Sequence, residues 1–199
     1  MISQNQIVRL IEAEEFRQLI QRVLSNGRCR SPMVLHVLSQ PEAAATAAIG
    51  LALQRLGELT YRPTELANEL ARRLIGMQKI DGLFGPDASS SREAMLVATS
   101  TALRGLMTWR SQIEACGGEI DEPISHAIDQ GLSALADVYS DAPDVNEDAV
   151  AWAVVLWQLG DVAEFRRLVP VKDLLSMLDE AAADLVEDEL CRYAHAVAA

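Results

Sequence analysis

The sequence has few of the residues and runs that usually disclose a function. Its three cysteines, Cys29, Cys116 and Cys191, are odd in number and far apart. That excludes a disulfide framework and reads as reduced thiols in a cytosolic chain. None stands in a C-x-x-C, and His36, His126 and His195 form no H-x-x-x-H. A structural zinc site groups its ligands at such short spacings, so no metal is expected. Gly82-Leu83-Phe84-Gly85 has neither the spacing nor the lysine of a phosphate loop, and no cofactor is expected either. No stretch reaches the roughly 18 consecutive apolar residues of a membrane span. Met1 to Arg9 has no apolar core behind a basic start, so no signal peptide is expected and the chain reads as cytoplasmic.

Positive charge is also scarce. The formal net charge is −12, and such a surface repels phosphate backbones, so nucleic acid is not expected as a partner. The charge is unevenly spread: residues 1–79 hold 10 Lys/Arg and 7 Asp/Glu, whereas residues 80–199 hold 7 and 22. This asymmetry suits a basic protein partner, or self-association of a basic half on an acidic half. Acidic helices also simply keep a protein soluble.

What is abundant is alanine and leucine. Half the residues are hydrophobic, enough for a sizeable core, and β-branched runs are rare. This favours an all-α chain that forms a single domain over residues 1–199. Residues 3–25 read as an amphipathic helix opened by a Ser3/Gln6 capping box, and a short apolar helix follows from Met33, so 1–40 is read as N-terminal helices. From residue 41 two kinds of helix alternate. Ala43–Leu53, Ala94–Leu103 and Ala149–Leu156 are apolar nearly all round and must be buried on most sides. Thr64–Met77, a segment starting near Pro123, and Val171–Val186 carry an apolar stripe opposite a polar face. Glu42-Ala43, Glu93-Ala94 and Asp148-Ala149 open the three apolar helices. The reading is three inner–outer hairpins over 41–186, stacked as a repeat, with a short linking helix over Asp161–Val169 and a final helix in 187–199.

Gln78-Lys79-Ile80-Asp81-Gly82-Leu83-Phe84 resembles the Q-x-x-x-G-x-W repeat of squalene–hopene-type terpenoid cyclases, with Phe in place of Trp. The resemblance implies a partial α/α toroid or short α-superhelix, and structural bracing roles for Gln78, Gly82 and Phe84. The D-x-D-D acid motif of the cyclases is absent, with Asp144-Val145-Asn146-Glu147-Asp148 only a loose echo.

In such toroids the cavity opens where loops enter the inner helices. Here that edge would gather Asp81, Asp87, Arg92, Glu93, Asp144, Glu147 and Asp148. Paired carboxylates could act as general acid and base, which makes Asp148, Glu147 and Glu93 catalytic candidates. Asp144, Asp87, Arg92 and Trp152 are ligand-binding candidates. The same acids could equally cap helices and offset their dipoles. Trp152 and Trp157, five residues apart, point about 140° apart on a helix, so at least one should be core. His126 stands three residues before Asp129, within pairing range on a helix. With no marked nucleophile, the chain reads as a non-catalytic helical-repeat domain for protein interaction or self-association. Two alternatives stay open: a toroid-like enzyme acting on a glycan or isoprenoid, and a small-ligand-binding domain.

Overall fold

A computed structural model describes residues 41–59, 64–85, 92–141 and 148–182. The expected N-terminal and C-terminal helices lie outside the described residues, as do Asp87, Asp144 and Glu147. The described chain is all-α. Its helices are α1 (Pro41–Leu59), α2 (Glu65–Gly76), α3 (Arg92–Ala115), α4 (Glu122–Asp141), α5 (Ala149–Leu159), α6 (Ala163–Leu168) and α7 (Val171–Ala182). The only extended pairing among the described residues is a single antiparallel bridge between Gln78 and Phe84. No helix of the described residues is long and apolar enough to cross a membrane.

Local chemistry sets the helix ends. Thr64 caps α2, its hydroxyl accepting from the Ala67 N–H at 3.1 Å and so satisfying one orphan donor of the first turn. At the far end of α3, Gly117 takes φ +71°, a conformation that favours glycine. There the Gly118 N–H bonds Ile113 O and the Gly117 N–H bonds Glu114 O, each at 2.9 Å, the paired closure of a Schellman motif. The helix therefore runs past the apolar stretch that ends at Leu103. Its buried positions continue through Leu106, Met107 and Trp109, spaced by the half-buried Arg104, Thr108 and Arg110.

The apolar helices pack on one another in series. A methyl at Gly50 would lie 2.4 Å from the Thr101 carbonyl oxygen, and one at Gly57 would lie 2.3 Å from the Thr108 methyl. The Gln112 side chain donates to Gly57 O at 3.2 Å. These contacts advance together along both chains, so α1 and α3 run parallel. Contacts between α3 and α5 advance the same way: Arg92 meets Asp148 at the start and Arg104 meets Asp161 at 2.8 Å further on. By contrast α4 runs antiparallel to α3, with Val138 at the level of Arg92 and Gly131 against Leu103. The core between these layers holds Ile49, Leu70, Phe84, Leu103, Ile128 and Trp152, all fully buried.

One boundary departs from expectation. The linking helix starts at Ala163, and its N-cap position, Val162, makes no side-chain capping bond. Asp161, expected in its first turn, instead precedes it and pairs with Arg104 of α3. The ion pair across the helices takes the carboxylate that local capping would have used.

Candidate functional site

The segment from Gln78 to Phe84 is a miniature hairpin fixed from every side. Its rungs are Lys79 N–H to Leu83 O at 2.9 Å and Gly82 N–H to Lys79 O at 3.0 Å. Gly82 has φ +86°, and a methyl there would meet Gln130 O of α4 at 2.7 Å. Only glycine suits both the turn and this close approach. The Gln78 side-chain amide donates to Gly82 O at 2.9 Å and to Ala127 O of α4 at 2.8 Å. Phe84, fully buried, has both its backbone groups met by one side chain. Thr99 Oγ1 accepts from the Phe84 N–H at 2.9 Å and donates to Phe84 O at 3.1 Å. Gln78, Gly82 and Phe84 thus hold the turn between α3 and α4.

That bracing leaves Ile80 at the tip of the turn, fully exposed. Beside it an open cleft of about 360 Å³ lies between the turn and the outer face of α4. Asp81, His126, Asp129, Ser133 and Asp137 line it with Ile80, and none of its lining residues is Lys or Arg. His126, Asp129 or Gln130, Ser133 and Asp137 recur at helical spacing on the solvent face of α4, so the helix sets their convergence. Asp81 Oδ1 accepts from the Leu83 N–H at 3.0 Å, which fixes its carboxylate within the turn.

The second group of interest lies where α3, α4 and α5 meet. Arg92 Nε stands 3.1 Å from Asp148 Oδ2, and its Nη2 donates to Val138 O at 2.9 Å. The Asp148 side chain is 9% exposed and makes no capping bond to α5. Its expected capping role is replaced by pairing with Arg92. The charges suit both helix ends, a cation at the C-terminus of α4 and an anion at the N-terminus of α5. One turn along α5, Trp152 is fully buried. Its indole meets the Tyr139 ring edge-on, with centroids 5.7 Å apart, a favoured aromatic geometry. Trp152 Nε1 finds no hydrogen-bond partner among the described residues. Burial first, then the nearby Asp173 carboxylate, raises the Tyr139 phenol above its ordinary pKa. Toward the other end of α3, Arg110 pairs with Glu164 at 3.1 Å. The carboxyl of Glu164 is lowered, chiefly by a bond from its own backbone N–H, against a smaller rise from burial and with further help from Arg110 and Arg167.

Of the acidic edge read from the sequence, the structure brings together Arg92 and Asp148. Asp81 faces the α4 cleft instead. Glu93 is half-buried in the first turn of α3. Trp152 is core and Trp157 is 51% exposed, the opposed orientation their spacing requires. Trp109 is buried, its indole donating to Asn68 Oδ1 at 3.1 Å. Among the described residues no group of three or more His, Cys, Asp or Glu is placed to hold a metal ion. Sequence reasoning singled out His126 and Asp129 as a pair but missed Ile80 and the cleft that they line with Ser133 and Asp137. The signals were an isoleucine inside a turn and polar residues at 126, 129, 133 and 137. The chain matches no protein-family model, no curated protein and no solved structure.

Proposed function

We propose that this chain is a non-catalytic, cytoplasmic helical-repeat domain for protein interaction, and that the Ile80 turn is where its partner docks. In this reading α1, α3 and α5 are the inner helices of a short arc of α/α hairpins, and α2, α4 and α7 the outer ones. The parallel order of the inner helices supports it, as does the turn that resembles the cyclase repeat.

One observation carries the functional reading. An isoleucine stands fully exposed on a turn that hydrogen bonds from Gln78 and Thr99 hold rigid. A single exposed apolar residue is ordinary on a mobile loop. On a preorganised turn beside a cleft it is an anchor that loses little conformational freedom on binding. The buried pairing of Asp148 with Arg92 supports a structural role for that carboxylate rather than service as a general acid or base.

Photocrosslinking tests the reading. A benzophenone amino acid at position 80 of the full chain, expressed in its host cells, should yield a discrete protein adduct identified by mass spectrometry. The same group at Glu69, exposed on α2, should not. The purified partner should bind the unmodified chain and fail to bind Ile80→Asp. Absence of an adduct at 80, or the same adducts at both positions, would reject it.

A further inference from the structure

We infer that the cleft beside Ile80 takes a cationic segment of another protein, one that places an aliphatic side chain on Ile80 and Lys or Arg along α4. The inference rests on the interaction reading above and names the chemistry of the partner.

Asp81, Asp129 and Asp137 contribute three carboxylates, and no lining residue is Lys or Arg. Asp129 and Asp137 are exposed on the outer face of α4, so neither is consumed by packing. A cationic segment would meet one sign of charge along two turns of helix, with Ile80 as its apolar contact. Opposed charge of this kind steers encounter and fixes register. Anionic occupants, whether phosphate-bearing polymers or acidic peptides, would bring like charges together.

A second copy of this chain is the main competitor, because the sequence is less acidic over residues 1–79. The net charge decides against it. Each chain carries −12, so two copies repel as they approach, whereas a basic partner is attracted at every distance inside the screening length. An amphipathic basic helix or extended segment fits the open, shallow form of the cleft.

Three labelled peptides of equal length test the inference on the full chain by fluorescence anisotropy. They are a Leu–Lys peptide, a Ser–Lys peptide of the same charge, and a Leu–Glu peptide. The Leu–Lys peptide should bind most tightly, and its affinity should fall as salt rises. Ile80→Ser should weaken it roughly tenfold, the loss expected from one uncovered aliphatic contact, and leave the Ser–Lys peptide unchanged. Asp129→Asn with Asp137→Asn should weaken both cationic peptides. Glu114→Gln with Glu119→Gln, exposed acids outside the cleft, should weaken neither. Equal binding of the Leu–Glu peptide, or indifference to Ile80→Ser, overturns the inference. So does sedimentation showing a dimer that Ile80→Ser dissolves, since the occupant is then a second copy. A specific photo-adduct at residue 80 without cationic-peptide binding would sink this chemistry and leave the interaction reading standing. Loss of both would remove both.

Discussion

Arg92 touches three helices from one side chain. It starts α3, bonds the Val138 carbonyl near the end of α4, and pairs with Asp148 at the start of α5. The two partners differ in environment: Arg92 is 39% exposed at its side chain and Asp148 is 9%. Removing the arginine therefore costs more than removing the acid charge. Arg92→Met leaves a nearly buried carboxylate without its guanidinium, and the expected loss of stability is about 3–5 kcal/mol. Asp148→Asn leaves a cation that still reaches solvent and Val138 O, and should cost less. Urea denaturation of both single variants and the double variant measures this, with the double expected to lose less than the sum. A loss below ~1 kcal/mol for Arg92→Met, the range of exposed pairs, would show that the contact holds nothing together. The sequence exposed both residues as candidates at a loop edge. It could not pair them, because the pairing depends on α3 and α5 lying parallel and in register.

At the scale of the helices, periodicity located the elements and chemistry at a distance fixed their limits. Apolar runs around Ala98 and Ala151 were legible because little polar face survives on a helix buried on most sides. The extension of α3 to Ala115 was less so, since its second half carries the polar Arg104, Thr108 and Arg110, which bond Asp161, the helix's own backbone and Glu164 of α6. Least legible was the seam between α1 and α3. There a methyl at Gly105 would come within 2.7 Å of Gly50 O and 2.9 Å of Gly50 Cα. Both obstacles are backbone and neither can rotate away. Gly105→Ala gains helix propensity and loses the seam; overpacking of this kind typically costs about 1–3 kcal/mol, occasionally more. Gly76, the last residue of α2, has nothing within 4 Å of its would-be methyl, and its backbone is not left-handed. Gly76→Ala should therefore stabilise by up to about 1 kcal/mol. Thermal melts of the pair check the sign at each site. A stabilised Gly105→Ala would mean that the two backbones do not meet there.

For the whole molecule, the order of packing predicts an order of opening. Helix α3 has the most neighbours among the described helices: α1, α2, α4 and α5 all pack on it. By contrast, among the described residues α7 packs chiefly on α5, and Leu174 and Leu178 are its fully buried apolar side chains there. In a stacked array each unit leans mainly on its neighbours, so edges open at lower free energy than the centre. A globular bundle with one shared core would instead protect its helices nearly alike. Native-state hydrogen exchange separates the two. Amides of α3 should be the last to exchange, at the free energy of global unfolding, with α5 below it and α7 lowest. Gly105→Ala should lower protection in α1 and α3 more than in α7, because its strain enters at a seam that α7 does not touch. Equal protection of α3 and α7, or an equal drop across all helices in the variant, would remove the stacked-hairpin arrangement. The Ile80 turn sits on this gradient at its protected end, since Thr99 of α3 and Ala127 of α4 hold it. Slow exchange of the Phe84 amide would show that the anchor is rigid before any partner arrives, as the docking reading requires.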